Sequence, residues 1–144
     1  MKLSIGSDHA GYNLKTRIIS YISSREIEII DVGPSSEDSV DYPDYAHQVA
    51  SQVSKDVSIS GILICGSANG VAMTANKYRD VRACLAWRHE IAELGRLHNN
   101  ANILCLPARF ISEDEALKCV DVFLSASFEG GRHERRVSKI KACI

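Results

Sequence analysis

The run Ile59–Cys65, Ile-Ser-Gly-Ile-Leu-Ile-Cys, constrains the fold of this chain more than any other segment. It is apolar at nearly every position, as a central strand of a parallel sheet covered on both faces must be. Short apolar runs at residues 3–6, 27–32, 81–86 and 102–106 read as four further strands. Longer amphipathic stretches separate them. Residues 13–23 carry Leu14, Ile18, Ile19 and Ile22 on one helical face, and residues 43–53 start with Pro43 in the first turn of a helix. Residues 71–77 and 89–98 read as helices. Residues 112–124 form another, where Ser112 followed by Glu115 spells a capping box. Gly33-Pro34 ends the second strand and a polar loop follows at 35–40; residues 131–144 read as a basic C-terminal helix. Five strands alternating with helices predict an α/β fold, a parallel sheet with helices on both faces. At 144 residues this is a single domain, 1–144.

In open sheets of this kind, ligands bind beyond the carboxyl ends of the strands. The loops to inspect are therefore those that follow a strand. After the first comes Gly6-Ser7-Asp8-His9-Ala10-Gly11, where an Asp-His pair is placed for proton transfer or anion contact. Helix capping alone would account for Asp8 but not for His9. After the third comes Cys65-Gly66-Ser67-Ala68-Asn69-Gly70. Its small residues let backbone N–H groups converge on an anion, and a thiolate at its entrance would be favoured by the same field. A structural cysteine before a tight turn is the plainer alternative. His98-Asn99-Asn100-Ala101-Asn102 ends the fourth helix, where a cationic His is favoured, although Asn residues there also suit a simple C-cap. Arg132 and Arg136 lie four apart, on one face of the last helix, and suit a phosphate; Arg109 is a third candidate.

Composition excludes several classes. The formal net charge of −1 argues against binding nucleic acid or membrane through bulk charge. No apolar run approaches the roughly 20 residues of a membrane span, and the N-terminal run is too short for a signal-peptide core. The five cysteines are odd in number and contain no Cys-x-x-Cys pair, which argues against a disulfide framework or a zinc site and for a reducing, cytoplasmic setting. Four of them read as packing residues, Cys65 being the exception. No lysine follows Gly70 as a P-loop requires, no G-x-G-x-x-G follows the first strand, and Val71 stands where a cysteine phosphatase needs arginine.

Taken together, the segments resemble the type B ribose-5-phosphate isomerases, a family that also includes galactose-6-phosphate isomerase subunits. The resemblance spans nearly the whole chain. It rests on Gly-Ser-Asp-His-Ala-Gly, on Asp41-Tyr42-Pro43-Asp44-Tyr45-Ala46, and on Ile64-Cys65-Gly66-Ser67 leading through Gly70 to Ala75-Asn76-Lys77. His98-Asn99-Asn100-Ala101-Asn102 and Phe128-Glu129-Gly130-Gly131-Arg132-His133 complete it.

The resemblance implies a Rossmann-like three-layer α/β/α sandwich, and interconversion of ribose 5-phosphate and ribulose 5-phosphate without metal or cofactor, a step of the pentose phosphate pathway. It implies Cys65 as the base at C2, with Ser67 beside it. Backbone amides of Gly66, Ser67, Ala68, Asn69 and Gly70 would hold the enediolate oxygen. His98 would be the ring-opening acid with Asp8 opposite. Tyr42 and Asn99 would contact the sugar, and His9, Arg109, Arg132 and Arg136 the phosphate. It further implies a homodimer with shared sites, in which His98, Asn99 and Arg109 come from the partner; a tetramer stays open. Members with a glutamate base carry it where this chain has Val71, which places the chain in the cysteine subgroup. The charged Glu134-Arg135-Arg136 makes Arg135 a competitor of Arg136 for the phosphate. Two rival readings remain at this level: an isomerase of a six-carbon phosphosugar such as allose or galactose 6-phosphate, and a non-catalytic phosphosugar-binding module.

Overall fold

The computed structural model describes residues 1–141. The end of the predicted last helix, with Cys143, lies outside the described residues. Five strands form one parallel sheet in the order β2-β1-β3-β5-β4: β1 (Lys2–Ser7), β2 (Glu28–Gly33), β3 (Ile59–Cys65), β4 (Ala83–Leu85) and β5 (Ile103–Pro107). The apolar run β3 is the central strand, with Leu3 to Ser7 of β1 opposite Ser60 to Ile64 on one side. On its other side Gly61 to Cys65 face Ile103 to Pro107 of β5.

Six helices flank the sheet: α1 (Tyr12–Ile22), α2 (Tyr42–Lys55), α3 (Asn69–Ala75), α4 (His89–Asn99), α5 (Glu113–Ser125) and α6 (Arg132–Ile140). The alternation of side chains along each strand divides the core in two. Leu3, Ile5, Ile62, Ile64, Leu104 and Leu106 pack with Ile18 and Ile22 of α1, Ala92 of α4 and Val120 and Phe123 of α5. Leu63, Cys65, Ile103 and Cys105 face the opposite way, onto Val49 and Val53 of α2 and Val71 and Ala75 of α3. Ile62, Leu63 and Ile64 are fully buried, each contributing about 1.5–3 kcal/mol relative to exposure. Helix α6 packs on α4, outside these two layers.

This arrangement makes the crevice. Helix α1 leaves β1 toward one face and α3 leaves the adjacent β3 toward the other, so their first turns diverge beyond the strand ends. Three backbone hydrogen bonds tie the crevice loops together: Asp8 N–H to Ile64 O at 3.1 Å, Ala108 N–H to Cys65 O at 2.9 Å, and Arg109 N–H to Gly66 O at 3.1 Å.

Some element boundaries differ from the sequence expectation. Helix α3 starts at Asn69 rather than 71, because Ala68 adopts the left-handed conformation (φ 64°) and turns the chain directly into the helix. Strand β4 keeps only three of its six expected residues. The apolar run outlasts the ladder there, as Arg82 N–H donates to the Asn102 side chain (2.8 Å) instead of to a neighbouring strand. The capping box of α5 is half made. Ser112 Oγ accepts from Glu115 N–H at 3.2 Å, but the Glu115 carboxylate turns to His89 at the start of α4, accepting from its backbone N–H at 2.7 Å.

Candidate active site

A cleft of about 510 Å³ opens at the carboxyl end of β3. Asp8, Tyr42, Cys65, Gly66, Ser67, Asn69, Gly70 and Arg109, all expected from the sequence, line it. Cys65 is the last residue of β3 and is 4% exposed, so its thiol opens into the cleft from a nearly dry wall. Ala68 does not line the cleft; it is fully buried and shapes the loop through its backbone. A left-handed non-glycine residue costs about 1–3 kcal/mol and persists where its surroundings impose it. Here it curls residues 66–70 into a turn whose N–H groups can converge on an anion.

Close packing at two glycines sets the width of the site. The Tyr42 ring lies so near Gly70 that a side chain there would overlap it. The Arg109 guanidinium occupies the corresponding space over Gly66, where a Cβ would meet Nη1 at 3.2 Å. Tyr42 is brought in by the β2–α2 loop, and that loop is anchored from beneath. The buried Lys15 ammonium donates to Asp31 at 2.6 and 2.8 Å and to Pro34 O at 3.0 Å.

The polar groups leave specific valences open. Asp8 Oδ1 accepts from Gly11 N–H at 2.9 Å, which closes the turn before α1; the N-cap of that helix is Gly11, so Asp8 lines the cleft without being the helix cap. Ser67 Oγ accepts from Asn69 N–H (3.4 Å) and Asn69 Nδ2 (3.3 Å), which leaves its hydroxyl proton to donate. His9 lies beside the cleft rather than in its lining, and its Nδ1 accepts from Val40 N–H at 3.3 Å.

His98, Asn99, Arg132 and Arg136 do not line the Cys65 cleft of their own chain. His98 ends α4 and stacks on His133; Asn99 lines a separate hollow with Asn76 and Ile140; Arg132 and Arg136 are exposed on α6. Arg109 corrects one expectation, since its guanidinium already sits beside Gly66 within one chain and needs no partner to bring it there. Among the described residues, Arg109, Arg132 and Arg136 form no ion pair with a carboxylate.

Two lining residues escaped the sequence reading: Met73 and Phe110, 66% and 71% exposed. Met73 is one helical turn beyond Gly70 and Phe110 directly follows Arg109, so helical spacing and loop position were the available signals. Trp87, whose place the sequence left open, is half-exposed and lines neither the cleft nor the buried core.

Burial pushes the Cys84 thiol up to about 11, the Cys119 thiol to about 12 and the Cys105 thiol well above its usual range. All are free, as is Cys65.

Comparison with known proteins identifies the family and the fold. The sequence pattern of the family described as Ribose/Galactose Isomerase matches residues 3–140. The chain is 47% identical to the probable ribose-5-phosphate isomerase B of Mycoplasma genitalium over 138 residues, 94% of this chain and 91% of that protein. It is 40% identical to the ribose-5-phosphate isomerase B of Escherichia coli, over 98% of this chain and 95% of that one. Its fold superimposes on a ribose 5-phosphate isomerase from Thermotoga maritima with a TM-score of 0.94 at 48% identity, covering 98% and 97% of the two chains. A ribose-5-phosphate isomerase B from Mycoplasma genitalium, solved with bound ribulose-5-phosphate, gives 0.94 at 45% identity, with 98% and 94% covered. With the family pattern matched over nearly its whole length and close relatives aligned end to end, this chain belongs to the ribose/galactose isomerase family.

Proposed function

We propose that this protein is an aldose–ketose isomerase that interconverts D-ribose 5-phosphate and D-ribulose 5-phosphate through an enediolate, with Cys65 as the base. The observation that carries this is the placement of the Cys65 thiol in a cleft with the Ala68 turn, the free hydroxyl proton of Ser67 and the Arg109 guanidinium. The ribulose-5-phosphate bound to the Mycoplasma genitalium relative supports the substrate class.

The chemistry follows from the groups. His98 gives a proton to the ring oxygen as the C1–O bond breaks, and Asp8 takes the proton of the C1 hydroxyl, leaving an open-chain aldehyde. The Cys65 thiolate then removes the proton on C2, and the electron pair moves into the carbonyl to form the enediolate. Backbone N–H groups of residues 66–70 and the Ser67 hydroxyl donate to the developing oxyanion, an interaction typically worth about 3–4 kcal/mol per donor. Transfer of the O2 proton to O1 and return of the proton held by Cys65 to C1 then give the ketose. Tyr42 and Asn99 hold the sugar; His9, Arg109, Arg132 and Arg136 hold the phosphate, whose binding energy positions the reacting carbons.

That His98, Asn99, Arg132 and Arg136 lie off the Cys65 cleft of their own chain supports a second copy bringing them, the working unit being a homodimer with shared sites. The exposed Met73 and Phe110 on the rim suit such a contact. A cytoplasmic role in the pentose phosphate pathway follows from this substrate.

Turnover of ribose 5-phosphate, allose 6-phosphate and galactose 6-phosphate in EDTA-containing buffer tests the proposal. The five-carbon sugar should be converted fastest, at a rate unaffected by chelator. Preference for a six-carbon sugar would keep the chemistry and change the substrate. Binding without turnover of any would leave only a phosphosugar-binding module.

A further inference from the structure

His98 is built into a three-residue arrangement that the reaction scheme above does not use. Its imidazole lies flat on that of His133, with ring centroids 4.2 Å apart and planes 7° from parallel. The Glu129 carboxylate faces both rings edge-on, 3.7 Å from His98 Nε2 and 3.4 Å from His133 Nε2. The backbone enforces this contact. Glu129 N–H donates to Leu97 O at 3.0 Å, which pins the segment before α6 against the last turn of α4. Gly130 and Gly131 both take positive φ (67° and 57°), and this reversal starts α6 with His133 turned back onto α4. The side chain of His133 is 8% exposed and that of Glu129 half-exposed.

We propose that Glu129 and His133 are positioning residues for His98, a platform and a carboxylate that fix the plane of its ring and turn Nε2 inward, so that Nδ1 faces outward to the sugar. Four charged or titratable groups face His133: His98 from α4, Glu129 from the connecting segment, and Arg132 and Arg136 from its own helix. Burial first, then the neighbouring positive charges, holds His133 below the usual histidine range. Two imidazolium rings stacked at this distance would repel each other, so the stack is compatible with at most one charged ring. Among the described residues, no hydrogen bond engages His98 Nδ1, which keeps that atom available. The three side chains also approach closely enough to suggest a metal cluster. Nearly parallel rings, however, send their in-plane lone pairs side by side rather than toward one ion.

The inference rests on His98 acting in ring opening, and its test separates the two. Ribulose 5-phosphate cannot close a furanose through its phosphorylated oxygen. Exchange of its C1 hydrogen with D2O, followed by NMR, therefore reports enediolate formation without ring chemistry. Glu129→Gln and His133→Ala should lower ribose 5-phosphate turnover by about tenfold, part of the roughly 10²–10⁴ that a positioned acid supplies. They should leave C1 exchange within about twofold, and His133→Phe, which keeps a flat ring, should recover most of the turnover. Equal loss of both rates would mean a merely structural role, and no loss in either would mean no role; each overturns the inference. Glu129→Gln alters a half-exposed side chain and keeps the test valid even where His133→Ala does not fold. His98→Ala run alongside tests the premise: if it does not lower turnover more than exchange, the ring-opening role of His98 fails, whatever Glu129 and His133 do.

Discussion

Cys65 and Cys105 sit on adjacent strands, on the same face of the sheet, and differ only in what lies beyond them. Cys105 is closed in by side chains, and burial holds its thiol protonated; Cys65 is at a strand end and opens into the cleft. In a Cys143→Ser background, iodoacetamide at neutral pH should therefore modify Cys65 and spare Cys84, Cys105 and Cys119. Phosphosugar should protect it. Peptide mapping checks this, and labelling of Cys84 or Cys119 in the folded protein would contradict it. Cys65→Ala should leave the fold intact and lower turnover by on the order of 10³-fold or more, as loss of an essential base does. At the phosphate end, Arg136→Ala should chiefly raise KM; an unchanged KM would transfer the anchor to Arg135 or Arg132. The loop after β3 was legible in the sequence as a candidate anion cradle with Cys65 at its entrance, and those residues do line the cleft; the roles given to Cys65 and Arg136 came from the family resemblance. Lys15 was not legible. Nothing in a helical pattern marks a lysine that points inward to Asp31 and Pro34, since its partners come from β2 and the loop after it, 16 and 19 residues away.

Elements meet here through side chains that serve two of them. The Glu115 carboxylate closes the N-terminus of α4 through His89 while its own N–H is capped by Ser112. Removing it uncaps one helix and unties two. Glu115→Ala should cost about 1–2 kcal/mol and Ser112→Ala about 1 kcal/mol, read from urea unfolding midpoints. A smaller loss for Glu115→Ala than for Ser112→Ala would contradict the shared cap. The sequence showed the Ser112–Glu115 spacing correctly, and a capping box was its natural reading. The choice between capping α5 and capping α4 depends on the packing of the two helices, which local spacing does not contain. Helix α3 shows the same limit, since its start depends on a left-handed Ala68 that no propensity favours.

At the scale of the whole molecule, buried thiols set an alkaline limit on stability. In the unfolded chain Cys84, Cys105 and Cys119 lose their protons near pH 9, while in the folded protein burial retains them. Between pH 9 and about 11–12 the native state binds more protons, so unfolding free energy falls as pH rises. This contribution is fully present below pH 9. Urea midpoints should drop between pH 8 and 10.5, and Cys84→Ala, despite its lower starting stability, should show a shallower drop. The parallel order of layers was readable from the alternation of elements, but that alternation says nothing of the site shared between copies, which the family resemblance implies and the proposed function adopts. What supports it is that His98, Asn99, Arg132 and Arg136 do not line the Cys65 cleft of their own chain. Mixing two inactive variants tests that division and the assigned chemistry at once. Cys65→Ala and His98→Ala dimers, each purified, are unfolded together, refolded as a mixture and assayed on ribose 5-phosphate. Each variant alone should be nearly inactive, and the mixture should regain roughly a quarter of full activity, because half of the dimers are mixed and each holds one intact site. A mixture as inactive as its components, or substantial turnover by folded Cys65→Ala alone, would contradict the account.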